Sequence, residues 1–291
     1  MIPSTRTRLL VLGASGMLGN AVLRWFSQRP DYEVSGTVRQ LHRLDALRER
    51  VPEAAFVDGI DATDLRALHQ LFLDKKPEIL INCIGVVKQL AGADEPVTAI
   101  PINALLPHRL ARICGIHRTR LIHISTDCVF SGTRGGYTEE DEPDAADLYG
   151  RSKLMGEVDY PHAITLRTSI IGHELGRSHG LVGWFLSQEG PVRGFSRAIF
   201  SALPTVELAR VIEQHVIPNP GLHGTYHVGG GSISKLDVLR LVGREYGRRD
   251  KLRPDDELVM DRSLNAERFQ RATGYRPPEW SELVAQMREF G

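Results

Sequence analysis

Apolar and polar positions alternate in two rhythms through the first 168 residues. Leu9–Leu12, entered from Arg8 and stopped by Gly13, is an unbroken apolar run of the kind buried on both faces of a parallel sheet. Asn20–Phe26 then reads as a helix. Further strand-like runs follow at Tyr32–Val38, Ala54–Val57, Glu78–Gly85, Thr119–Ser125 and His162–Thr168. Between them, helical periodicity shows at Leu65, Leu68, Leu71 and Phe72, from Pro101 to about Cys114, and again from Tyr149. Strands that alternate with helices predict an α/β fold, a Rossmann doubly wound parallel sheet. In such a sheet ligands bind beyond the carboxyl ends of the strands.

The rhythm changes after Thr168. Gly172–Gly180 is rich in Gly and His, and an aromatic segment follows around Trp184 and Phe185. Leu203–Ala209 reads as the start of a helix with Thr205 as a candidate cap and Glu207 in the first turn. Thr225–Val228 is strand-like, Ser232 or Ser234 opens a helix reaching Tyr246, and Met260–Phe290 mixes loop and helix around Pro277–Pro278. The expected division is residues 1–168, with a strand near 225–230 returning to the sheet, and residues 169–291 as mainly a smaller lobe over the crevice. Neither a repeat nor a flexible linker interrupts the chain.

Bulk properties narrow the class. The 291 residues are 42% hydrophobic and carry no formal net charge, so a sizeable core is affordable and a non-specific nucleic-acid binder is not expected. Cys83, Cys114 and Cys128 are odd in number and widely spaced, which suits reduced thiols better than a disulfide framework. No apolar run is long enough for a membrane span, and residues 1–8 lack a signal-peptide core, so a cytoplasmic location is expected. His223 and His227 straddle a turn and strand, a poor zinc pair, and no metal is expected.

Two motifs carry chemistry. Gly13-Ala14-Ser15-Gly16-Met17-Leu18-Gly19 joins the first strand to the first helix, where glycines permit a tight bend and let the backbone approach a diphosphate at a helix N-terminus. Near the end of the second strand stands Arg39, with Arg43 soon after and no acid, which favours a 2′-phosphate and hence NADPH over NADH. Asp61, in the turn Asp61-Ala62-Thr63-Asp64, suits the adenine amino group or an ordinary helix cap equally. Cys83, Ile84 and Gly85 should pass beside the cofactor at the end of their strand. The second motif is Tyr149-Gly150-Arg151-Ser152-Lys153. Four residues apart, Tyr149 and Lys153 share a helical face, where the ammonium can lower the phenol's pKa and make it a general acid towards a carbonyl oxygen. Ser125 and Thr126 end the fifth strand, Cys128 lies just beyond, and Lys88 is a candidate contact to phosphate or a sugar hydroxyl.

These residues resemble the extended short-chain dehydrogenase/reductase superfamily, and within it the dTDP-4-dehydrorhamnose reductase family and its sugar-nucleotide 4-ketoreductase relatives. The likeness rests on Gly13–Gly19, on Ser125-Thr126-Asp127-Cys128-Val129-Phe130-Ser131-Gly132, on Tyr149–Glu157, and more loosely on Leu166-Arg167-Thr168-Ser169 and Pro204-Thr205. It implies a catalytic set of Thr126, Tyr149 and Lys153: Thr126 bonds the substrate oxygen, Tyr149 donates the proton, and Lys153 holds the nicotinamide ribose. Thr168 and Ser169 would approach the nicotinamide, and Asn103 would lie near the site, although a helix cap is its ordinary role. The expected cofactor contacts are thus Gly13, Ser15, Gly16, Met17, Leu18, Gly19, Arg39, Asp61, Ala62, Cys83, Ile84, Gly85, Asn103, Ser125, Tyr149, Lys153, Thr168 and Ser169. Lys88, Thr126, Asp127, Cys128 and Arg167 are the expected substrate contacts. Cys128 stands where the family usually has tyrosine, which alters one wall of the sugar pocket.

The reading that follows is an NADPH-dependent reductase of a nucleotide-linked 4-keto sugar. Its rivals are an epimerase or dehydratase of the same fold, and a non-catalytic cofactor-binding subunit resembling that of methionine adenosyltransferase. The resemblance also allows a homodimer.

Overall fold

A computed structural model describes residues 6–39, 44–88, 94–176, 178–248 and 252–291. Six strands, β1 (Thr7–Leu12), β2 (Tyr32–Val38), β3 (Ala55–Asp58), β4 (Ile79–Asn82), β5 (Arg120–Thr126) and β6 (Ala163–Thr168), join a seventh, Gly224–His227, in one sheet. Its order is Gly224–His227, β6, β5, β4, β1, β2, β3, with every pairing parallel. The order reverses at β1/β4, and a crevice opens there beyond the strand ends.

Both faces of the sheet are covered, which explains the unbroken apolar runs. Leu9 and Val11 of β1 pack with Val22, Leu23 and Phe26 of helix α1 (Met17–Ser27). Leu10 and Leu12 point the other way, into a second cluster with Leu68, Phe72 and Leu110. The first cluster runs on from the sheet through Phe185, Val238 and Leu283, so the core is shared between the sheet and the C-terminal segments. Around that shared core the second half builds small sheets. Val192–Phe195 pairs with Leu252–Asp255, while Ala198–Phe200 lies between Ile233–Ser234 and Met260–Asp261.

Several local expectations are corrected. β4 stops at Asn82 rather than Gly85, because Asn82 Oδ1 accepts the Ile84 amide at 3.1 Å and turns the backbone out of the sheet. The helix expected from Pro101 begins at Pro96 and passes through a wide π-type stretch, Ile100–Leu105, before Leu106–His117. Thr205 does not cap its helix: Pro204 occupies that position and Thr205 is the first helical residue. Ser234, by contrast, caps Lys235–Glu245 through the Asp237 amide at 3.0 Å. The five strands of these two small sheets were invisible to periodicity, being two to four residues long.

Candidate active site

The three glycines of the first turn are glycine for different reasons. Gly13 holds φ of +81°, open to few other residues, and a side chain there would press on Ile84 Cγ1 at 3.0 Å. A Cβ on Gly19 would run into the Gly13 carbonyl oxygen, so Gly19 lets α1 lie close on β1. Gly16 has an ordinary φ of −77°, and a Cβ there would touch only Gly13 O at 3.4 Å. Packing does not demand glycine at 16. The space its side chain would enter is the edge of a cavity, at the N-terminus of α1, where no side chain caps the helix. An open cradle of uncapped amides fits a diphosphate.

That cavity has a volume of about 480 Å³ and lies between the carboxyl ends of the central strands and the C-terminal segments. Of the sequence-predicted residues it gathers Gly16, Met17 and Leu18 from the turn, Cys83, Ile84, Gly85 and Lys88 from beyond β4, and Ser125, Thr126, Asp127 and Cys128 from the end of β5. Tyr149 and Lys153 join them from their helix, and Thr168 and Ser169 from the end of β6. Gly13 and Gly19 underlie the turn, and Ser15 stands half-buried beside them without bordering the cavity.

The Tyr149 helix, Leu148–Met155, is fixed at both ends. Asp147 caps it by accepting the Gly150 amide at 2.8 Å, and its other oxygen holds Lys88 Nζ at 2.7 Å. A Cβ on Gly150 would strike the Cys128 carbonyl, and one on Gly156 the Asn103 carbonyl. Glycine at these two places lets the helix lie against the turn after β5, which sets Tyr149 beside Thr126. Asn103 is not a helix cap. Buried in the π-type stretch, it accepts the Val86 amide at 2.9 Å, donates to Val86 O at 3.0 Å and to Ser152 Oγ at 3.2 Å. It thus ties the segment after β4 to the Tyr149 helix and does not itself border the cavity.

The electrostatics correct one expectation. Lys153 is buried and donates to the Ile124 carbonyl at 2.7 Å. Desolvation pulls its pKa down to about 8, against the charges of Glu157 and Cys83. Tyr149 is expected to be lowered by that lysine. Instead burial, then Cys128, pushes its phenol above the ordinary value, and the hydrogen bond with Thr126 opposes them. At neutral pH the phenol therefore keeps its proton. Thr126 donates to Asp127 Oδ1 and accepts the Cys128 amide, both at 3.1 Å. Burial raises the Asp127 carboxyl, and it raises the Cys128 thiol to about 11, so that thiol is no ready nucleophile.

Arg167 does not reach the cavity. Its guanidinium is buried against Glu157 in a two-pronged pair (2.7 and 2.6 Å), and Nη1 donates to His227 Nε2 at 3.2 Å. Glu157 also accepts from Ser125 Oγ at 2.7 Å, so Arg167 supports the end of β5 from behind. His223 pairs with Asp159 instead of with His227, and no metal-binding cluster occurs among the described residues. Arg39, Asp61 and Ala62 lie beyond β2 and β3, outside the cavity lining. Asp61 accepts the Thr63 amide and hydroxyl at 2.8 Å each, and the Arg39 charge contributes to lowering its pKa. Arg43 lies outside the described residues.

Sequence reasoning missed the far wall. Lys235, Arg262, Met260, Phe200, Glu174 and His179 all border the cavity. All but Lys235, which opens the helix that Ser234 caps, come from short strands and loops with no periodic signal, and a lone lysine or arginine at such places reads as surface.

Comparison with known proteins agrees with the geometry. The family model described as the RmlD substrate binding domain matches residues 7–289. Methionine adenosyltransferase 2 subunit beta of Rattus norvegicus is 33% identical over 156 residues, 54% of this chain but 42% of that protein, so the chain spans less than half the length of that relative. A probable dTDP-4,6-dihydroxy-2-methyloxan-3-one 4-ketoreductase of Streptomyces antibioticus is 30% identical over 256 residues, covering 83% of this chain and 79% of its own. The crystal structure of dTDP-4-dehydrorhamnose reductase from Bacillus anthracis in complex with NADP superposes with a TM-score of 0.79 at 21% identity, over 98% of this chain and 99% of that one.

Proposed function

This chain belongs to the RmlD substrate-binding-domain family, and from that premise we propose that it is an NADPH-dependent reductase of a nucleotide-linked 4-keto sugar. One observation carries the reading: Thr126, Tyr149 and Lys153 meet on the wall of a cavity whose other edge is the uncapped N-terminus of α1 at Gly16. The dinucleotide, when bound, supplies the hydride. The Gly16–Leu18 amides hold its diphosphate, and Arg39 takes the 2′-phosphate that distinguishes NADPH from NADH. Cys83, Ile84, Gly85, Thr168 and Ser169 flank the nicotinamide, and Lys153 bonds its ribose. Thr126 bonds the ketone oxygen, and Tyr149, a protonated phenol, gives that oxygen its proton. Asn103, Ser125 and Arg167 position these groups without touching substrate.

Residues 1–168 with Gly224–His227 form the cofactor half, and residues 169–291 mainly the substrate lobe. No helix among the described residues is long and apolar enough to cross a membrane. Absorbance of added NADPH, followed with a panel of keto-sugar nucleotides, tests the reading. Net oxidation that Tyr149→Phe abolishes while NADPH still binds is expected. Conversion of the sugar without net NADPH loss would instead make it an epimerase or dehydratase. The likeness to the methionine adenosyltransferase subunit supports a second reading, a non-catalytic partner. Co-purification with a larger enzyme and no turnover of any ketone would favour it.

A further inference from the structure

We propose that Glu157, which lies outside the cavity, is a positioning residue for the reaction: its carboxylate fixes the end of β5 through Ser125 and serves as the counter-charge of the buried Lys153 ammonium. That the ammonium serves ketone reduction rests on the function proposed above; the tie between Glu157 and Lys153 does not. Tyr149, Lys153 and Glu157 follow one another at intervals of four residues. The helix ends at Met155, and Glu157 closes the turn after it with its amide on the Leu154 carbonyl at 3.1 Å. Its side chain enters the interior and is only 8% exposed. One oxygen accepts Ser125 Oγ and Arg167 Nε at 2.7 Å each, and the other accepts Arg167 Nη2 at 2.6 Å. Ser125 borders the cavity, and the carbonyl of Ile124 just before it holds Lys153 Nζ at 2.7 Å. Two consecutive residues of β5 thus receive the glutamate and the lysine. Arg167 extends the hold backwards: Nη1 donates to His227 Nε2 at 3.2 Å, and His227 Nδ1 donates to the Tyr137 carbonyl at 3.0 Å. These bonds fix the tautomer of His227, and burial, then the Arg167 charge, pulls its pKa down to about 4, so the ring stays neutral.

An ion pair that only held the fold together would have no effect on the lysine. Burial is the largest influence on Lys153 and lowers its pKa; of the charges that oppose burial, Glu157 comes first and the Cys83 thiol second. Cys83, beyond β4, is pushed up to about 12 by its own burial, so it keeps its proton and supplies no charge at neutral pH. His123 of β5 is held well below the ordinary histidine value by burial, then by Lys153, and is neutral as well. On the lysine's own helix, the raised Tyr149 phenol keeps its proton. The arginine-paired carboxylate of Glu157 is therefore the negative charge that acts on the ammonium. Glutamine in its place would keep the length and an acceptor oxygen for Ser125, and would remove that charge.

The chain holds six lysines, few enough to follow one by one. The full chain, labelled with carbon-13 at lysine Cε, is titrated by NMR through the neutral and alkaline range, with Lys153→Met to assign the signal. In Glu157→Gln the Lys153 signal should titrate at lower pH than in wild type, while the other five lysines titrate as before. That variant leaves Arg167 without its counter-charge, so Glu157→Gln with Arg167→Met is measured beside it, and the same downward shift is expected. In turnover of a keto-sugar nucleotide, the rate at pH 8 should fall about fivefold relative to the rate at pH 6 in both variants. A Lys153 signal unmoved in the double variant would overturn the role. So would one that rises towards the ordinary lysine value, as in an unfolded chain, or a rate lost equally at every pH. If the signal moves down as expected but the wild type reduces no ketone, the tie between Glu157 and Lys153 stands and the reductase reading falls.

Discussion

Replacing Lys153 with methionine should make the protein more stable while removing its activity. The ammonium is buried and its pKa falls from 10.5 to about 8. That difference corresponds to roughly 3 kcal/mol by which folding disfavours the charged form. Methionine keeps the aliphatic volume and removes the charge, but leaves the Ile124 carbonyl without its 2.7 Å partner, a loss of about 1 kcal/mol. A net gain of about 2 kcal/mol remains. For 291 residues this raises the melting temperature by about 3 °C. The sign has a pH signature. Between pH 8 and 10.5 the unfolded chain binds the lysine proton and the folded chain does not, so wild-type stability gains with pH across that window. The variant lacks this gain. Its advantage should be full at pH 7 and shrink towards nothing by about pH 10. Thermal unfolding of both proteins at pH 7.0 and 9.5, in one ionic strength, decides it. A variant less stable than wild type at pH 7, or a gap that does not narrow with pH, refutes the reasoning.

Other perturbations separate groups that shape the fold from groups that serve the ligand. Gly16→Ala should leave the melting temperature within about 1 °C, since its Cβ meets one atom at 3.4 Å, yet weaken NADPH binding in a fluorescence titration. Gly19→Ala should lower stability by about 1–3 kcal/mol in chemical denaturation, because the new carbon meets the Gly13 carbonyl. Arg167→Met strands the Glu157 carboxylate in the interior and should cost about 3–5 kcal/mol, whereas the double change with Glu157→Leu should recover much of that loss. Steady-state reduction should decline as pH rises through about 8, where Lys153 loses its proton, and stay level below that down to pH 6.

The sheet was legible because its strands are buried on both sides and the helices between them carry a clean apolar face. Leu9–Leu12 needs no tertiary information to read as a strand, since both parities of side chain enter a core. Strand ends were less legible, because they depend on single side chains acting on the backbone, as Asn82 does at Ile84. The half of the cavity built on glycine turn, strand ends and Tyr149 helix follows from local spacing. Lys235 and Arg262 owe their place to small strands paired across long sequence distances, and no spacing encodes that. Arg167 shows the converse. It sits in a recognisable motif beside Thr168, but strand alternation turns it to the opposite face, where Glu157 holds it.

The ionisation states of the site fit together once the two ends are considered jointly. A phenol raised by burial keeps its proton at neutral pH but is the weaker acid for it, so donation to the ketone oxygen still needs a nearby positive charge once the ligands arrive. What the buried Lys153 provides is a positive charge held ready at the point where the reduced oxygen gains negative character. The protein bears its desolvation in the free state, and Glu157 offsets only part of it. Lys235 is in a similar condition on the opposite lobe, half-buried and pulled below its ordinary value by the same cause. Two strained cations flank one cavity, and each becomes more favourable when an anion or a developing anion fills the space between them. Binding is thereby coupled to chemistry by charge: the groups most costly to the empty fold are the ones a charged substrate satisfies first.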